Sequence, residues 1–174
     1  FSTSRAGDLI AQLSPDGRTL LFTHGGSAGG LNYTVCLRQT EGSSVIRLGE
    51  GAASSLSPDG KWALAIIFTS PARAILYPTG PGEPRRLEQG GIESYSSGEW
   101  FPDGKSVLLC GSEPGRAGRC YVQEIDGGKP RAVTPEGTSS FARLSPDGER
   151  LIVLGPAGNY FLYPLGGGEP RAIP

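Results

Sequence analysis

Three sets of residues in this 174-residue chain are of types that could do chemistry. The first is Gly25-Gly26-Ser27-Ala28-Gly29, which has the G-x-S-x-G spacing of a nucleophile elbow and follows His24, the one histidine. An elbow serine needs a strand–turn–helix context, a histidine base and an orienting acid. Here the serine sits in a glycine-rich stretch between two strand-like segments, so the run reads as a loop and the chain as having no catalytic residue. The second set is four aspartates, Asp16, Asp59, Asp103 and Asp147, each inside a Ser/Phe-Pro-Asp-Gly tetrapeptide. They occur singly, without the alternation of a calcium loop, and the single histidine and scattered cysteines have no zinc spacing. No metal and no cofactor is expected. The third set is Cys36, Cys110 and Cys120.

The aspartates are turn formers. Proline presets φ at one corner, Asp tolerates the next, and Gly supplies the left-handed residue that closes a hairpin. They are 43, 44 and 44 residues apart, and a repeat in the low forties is the length of a four-stranded propeller blade. Short β-branched and aromatic runs alternate with Gly and Pro clusters, and no helical apolar face persists. The expected fold is therefore all-β: a β-propeller of four-stranded antiparallel blades, spanning about 8–51, 52–91, 92–137 and 138–174 as one unit.

Within each repeat, strand A precedes the turn and strand B follows it, as in Leu9 to Leu13 and Thr19 to Thr23. Strand C covers stretches such as Tyr33 to Gln39, and strand D stretches such as Pro84 to Leu87. Pro84, Pro130 and Pro170 share one aligned position, where Val45 is the exception. A proline cannot donate to a ladder, so strand D is the outer edge. Trp100 aligns with Leu13, Leu56 and Leu144 and is expected in the core between blades. Aligned on blade four, Cys110 and Cys120 flank a short B–C loop and face each other. Two readings stand: a cross-strand disulfide in an oxidising compartment, or two small buried hydrophobes. Cys36 has no partner in the sequence.

Loop lengths locate a face. Leu37 to Leu48, Leu76 to Leu87, Val122 to Val133 and Leu162 to Ile173 are each 11 residues apart, so the C–D turn is constant. The B–C and D–A connections vary. In a meander these two lie at one rim and the A–B and C–D turns at the other, and variable loops on a rigid scaffold are where recognition resides. The variable rim would carry His24, Asn32, Arg73, Glu93, Tyr95, Glu113, Arg116, Arg119 and Asn159. That mixture suits a protein, peptide or small ligand. A net charge of −1 gives no reason to expect nucleic acid or a membrane surface, and no apolar run reaches the length of a span. The chain begins at Phe1 and has no methionine, which predicts a processed or excised piece of a longer protein.

The repeated Leu-Ser-Pro-Asp-Gly-Lys/Arg, and blade endings such as Gly127-Gly128-Lys129-Pro130-Arg131-Ala132-Val133-Thr134, resemble the WD40-like PD40 repeat of TolB-type propellers. The resemblance covers residues 8–174. It is closest to propellers at the extracytoplasmic end of bacterial transmembrane serine/threonine kinases, which implies a sensing or docking module. The same repeats occur in periplasmic TolB and in the propeller gates of prolyl oligopeptidase-like peptidases, and a purely structural module is a third reading. Propellers of this family have six or more blades, so four imply a tight closed ring, half of an eight-bladed homodimer, or part of a larger propeller.

Overall fold

The computed structural model describes residues 8–25, 33–42, 44–138, 142–155 and 157–174. These form sixteen strands in four separate four-stranded sheets, and no helix is present among the described residues. Blade one contains β1 (Asp8–Leu13), β2 (Thr19–Gly25), β3 (Tyr33–Gln39) and β4 (Val45–Glu50). Blade two contains β5 (Ala52–Leu56), β6 (Trp62–Ile67), β7 (Arg73–Pro78) and β8 (Arg85–Arg86). Blade three contains β9 (Ser94–Trp100), β10 (Ser106–Ser112), β11 (Arg119–Glu124) and β12 (Arg131–Ala132). Blade four contains β13 (Ala142–Leu144), β14 (Arg150–Leu154), β15 (Tyr160–Pro164) and β16 (Arg171–Ala172). Every sheet is an antiparallel meander in chain order.

The aspartates act as turn formers. Ser57 Oγ donates to Asp59 Oδ1 at 2.6 Å, and the Lys61 amide donates to the same oxygen at 3.0 Å. The equivalent glycines Gly17, Gly60, Gly104 and Gly148 have φ between 67 and 72°. Where Phe101 replaces the serine, Asp103 keeps the bond from the Lys105 amide at 2.8 Å.

The edge strands show what proline does to a ladder. β4, without proline, runs six residues, whereas β8, β12 and β16 are two residues each and begin at the arginine after the proline. These strands are shorter than the sequence suggests because proline supplies no N–H to bond.

Burial of alternate residues joins the blades. Leu21, Val35 and Leu37 of blade one pack on Leu56, Ala63 and Ile75 of blade two. Leu64, Ile66 and Leu76 meet Trp100, Val107 and Leu109 between blades two and three. Leu108, Cys110 and Cys120 meet Leu151 and Val153 between blades three and four. Among the described residues no extensive contact joins blade four to blade one. The far face of blade four leaves Ile152 and Tyr160 41% and 53% exposed. Among the described residues the blades pack in chain order, each on the next.

Candidate functional site

The alternating strand directions put the B–C and D–A connections at one rim, and the structure brings three of the expected residues together there. Glu113 and Arg116 come from the B–C connection of blade three, and Arg119 opens β11. Arg119 hydrogen-bonds to the Glu113 carboxylate through Nη2 and donates from Nε to Tyr121 Oη at 3.1 Å. Tyr121 Oη in turn donates to Glu113 Oε1 at 3.0 Å. Arg116 Nη1 lies 3.5 Å from Glu113 Oε2 and 3.1 Å from Glu136 Oε1, which belongs to the next D–A connection. One carboxylate thus ties its own hairpin together, and one arginine links that hairpin to its neighbour. The bonds from Arg119 and Tyr121 hold the Glu113 carboxyl below its ordinary range, and the bonds to Glu113 and Tyr121 raise the Arg119 guanidinium further.

Under this network Cys110 and Cys120 are joined by a disulfide, with Cα atoms 4.0 Å apart and both residues buried. They are directly opposed in the β10–β11 ladder, which is what brings the sulfurs within reach. A cavity of about 350 Å3 opens beside the bridge, lined by Ser96, Ser112, Arg116, Gly118, Arg119 and Thr138 among others. A register shift in the β9–β10 pairing places Ser96 as the extra residue, and its Oγ donates to the Cys110 carbonyl at 3.0 Å. Such bulges re-aim side chains. A second cavity on this rim, about 480 Å3, lies between blades one and two. It is lined by Tyr33, Glu50, Ile67 and Phe68, with the Tyr33 and Phe68 rings edge-on at 6.1 Å.

The remaining expected residues divide. Arg73 opens β7 and Glu93 precedes β9, both exposed. The Glu93 carbonyl accepts from the Ala72 amide at 2.8 Å and its amide donates to the Ser112 carbonyl at 2.8 Å, so its backbone stitches two connections together. Asn159 is exposed, and its carbonyl accepts from the Gly155 amide at 2.8 Å. His24 belongs to β2 and not to a loop, paired across the ladder with Thr34. Tyr95 is a correction: at 5% exposure it is a core residue, packed with Leu64, Ile92 and Trp100. Its burial pushes the phenol up to about 12. β9 starts at Ser94, earlier than the sequence suggests, and carries Tyr95 into the sheet opposite Gly111. Asn32 and Ser27 lie outside the described residues.

Sequence reasoning missed Tyr121, Glu136, Tyr33 and Phe68. Tyr121 could have been found, since it stands two residues from Arg119 on one strand and so shares its face. The opposite rim holds a cavity of about 600 Å3 around Trp62, Pro78, Pro81 and Pro84, with Arg85 lying 4.7 Å over the indole. Among the described residues no three His, Cys, Asp or Glu side chains are grouped to hold a metal.

No protein-family model and no curated protein matches the sequence. Solved structures do match. A protein assigned as TolB from Agrobacterium tumefaciens superposes with a TM-score of 0.77 at 17% identity, over 92% of this chain and 62% of that one. TolB from Acinetobacter baumannii gives 0.69 at 23% identity, over 98% and 46%. The β-propeller domain of the Trilobed protease from Pyrococcus furiosus, described as having an open velcro topology, gives 0.67 at 11% identity, over 95% and 57%.

The fold is a β-propeller, similar to those of these structures. The chain spans less than two thirds of the length of these structures.

Proposed function

We propose that this chain is a non-catalytic propeller module that docks a protein or small ligand through the rim of its B–C and D–A connections. In this reading it is the extracytoplasmic sensor part of a bacterial serine/threonine kinase. The observation that carries the rim is the Glu113–Arg119–Tyr121 network with Arg116 reaching Glu136. It orders two separate connections around one cavity, which is the preorganisation a recognition surface needs. The cavity on the opposite rim is built largely from a single C–D turn and has no comparable network. The Cys110–Cys120 bridge supports an oxidising compartment. The likeness to a protease propeller favours a second reading, a gate for a hydrolase.

A photo-crosslinking amino acid placed at position 116, and in parallel at position 59 on the opposite rim, tests the proposal in cells. Docking predicts a crosslink to a separate partner from 116 and none from 59. A gate predicts a crosslink from 116 to a hydrolase domain. Equal yields from the two rims contradict the assignment of the rim. Light scattering on the purified chain reads the oligomer: a twofold mass supports a second copy completing an eight-bladed ring.

A further inference from the structure

The cavity of about 480 Å3 between blades one and two has three walls of different chemistry. Two are the Tyr33 and Phe68 rings, inclined at 75° with centroids 6.1 Å apart. Phe68 is 46% exposed, so its ring is open to a ligand. The third wall is Glu50, the last residue of β4. Each wall is fastened from behind. The Thr69 amide donates to the Ile67 carbonyl at 2.9 Å, a three-residue turn with Phe68 at its apex. Thr69 Oγ1 donates to the Pro71 carbonyl at 2.6 Å and holds the far side of that turn. The Gly51 amide donates to the Tyr33 carbonyl at 2.8 Å, and Tyr77 Oη donates to the Glu50 carbonyl at 2.8 Å. Glycine is required on both sides of Glu50. A Cβ at Gly49 would run into the Tyr77 ring, and Gly51 has a φ of 113° with the Ile66 carbonyl oxygen 2.6 Å from where its Cβ would stand.

The walls share one sign of charge. The faces of aromatic rings carry the negative part of a quadrupole, and Glu50 adds a carboxylate. Burial, and then the Glu50 carboxylate, push the Tyr77 phenol up, which places that charge beside the junction of blades one and two. Among the described residues the two cation–π pairs are Arg85 over Trp62 and Arg119 over Tyr121, so neither ring of this cavity is covered by a cation. None of the ion pairs among the described residues includes Glu50. An anion would be repelled by the carboxylate, and a neutral apolar group would leave it unused.

We propose that this cavity binds an alkylammonium group. Two steeply inclined rings at this separation place one cation within the roughly 6 Å reach of both centroids. Glu50 lines the same space and supplies the opposite charge. The volume is in the range of small-ligand sites. The ammonium belongs either to a lysine side chain of a docked partner or to a free quaternary amine. The assignment rests on the reading of this rim as the recognition face, whereas its test needs no partner.

Amide NMR of the whole chain, at ionic strength matched by sodium chloride, tests this with three probes. They are choline, its neutral isostere 3,3-dimethylbutan-1-ol, and N-acetyl-lysine methylamide. Choline and the lysine derivative are expected to shift the Gly51 and Thr69 amides saturably, and the neutral alcohol to bind at least fivefold more weakly. Tighter binding of the lysine derivative assigns the site to a partner's side chain, and tighter binding of choline to free amines. Phe68→Leu keeps an apolar wall without a ring face and is expected to weaken choline binding about fivefold, the size of one partly exposed cation–π contact. Glu50→Gln keeps the backbone bonds and is expected to weaken it severalfold. No saturable shift at 100 mM choline, equal affinity for the neutral alcohol, or unchanged affinity in both variants overturns the proposal. Such a failure with the crosslink from position 116 intact leaves the docking rim standing, and loss of that crosslink with choline binding intact removes the rim reading alone.

Discussion

Arg119 and Glu113 face each other across the neck of the blade-three B–C connection, and the guanidinium holds its carboxylate in place with Tyr121 as the third member. Because the Glu113 carboxyl is held below its ordinary value, the network is complete above about pH 4.3. It is lost as the pH falls through the lowered folded-state value, the direction expected when the unfolded state binds more protons. Glu113→Gln is expected to speed amide exchange of residues 112–119 at pH 7 while leaving exchange in β6 and β14 unchanged. Uniform acceleration across the blades would show that the network holds the fold and not the rim.

The bridge below it is expected to contribute more to stability. Cys110→Ala with Cys120→Ala should cost about 2–3 kcal/mol in denaturant unfolding, the typical size for a bridge closing a short loop. Without reductant, the denatured protein should yield one titratable thiol, from Cys36. Three thiols would contradict the bridge.

The turn aspartates separate by partner. Asp59 takes bonds from the Ser57 hydroxyl and the Lys61 amide, and both lower its carboxyl. Asp59→Ala should cost about 1 kcal/mol, in the range of a lost hydrogen bond. Asp103→Ala, where Phe101 replaces the serine, should cost less. Equal costs, measured by thermal unfolding, would place the effect in the backbone alone.

Glu99 runs the other way. Burial raises its carboxyl, only partly offset by the Leu144 amide. A raised folded-state value favours the protonated native form, so its burden appears as the pH rises through the ordinary glutamate value towards the raised one. Glu99→Gln keeps an acceptor for Leu144 and should flatten that fall, leaving the variant more stable than wild type at pH 7. A lower melting temperature at pH 7 would show that the charge itself is needed.

The architecture was legible because its determinants are local. Pro-Asp-Gly dictates a turn wherever it occurs, and four evenly spaced copies dictate blades. The alignment also placed Trp100 in the core. The rim was harder to read. Tyr95 sits in a stretch that reads as a crossover, and only the bulge at Ser96 reveals that β9 begins before it. His24 reads as loop because glycines follow it, although the ladder with β3 extends through Gly25. Glu136 was hidden for a different reason: it meets Arg116 across 20 residues, and one sequence carries no signal for such a pairing.

The account stands on recognition at the rim of variable connections. Once a partner is captured from position 116, its affinity for the purified chain should fall at least tenfold on Arg73→Glu with Arg116→Glu, and stay within twofold on Lys61→Glu with Lys105→Glu at the opposite rim. The reverse pattern, loss at the lysines with the arginine pair silent, would contradict it.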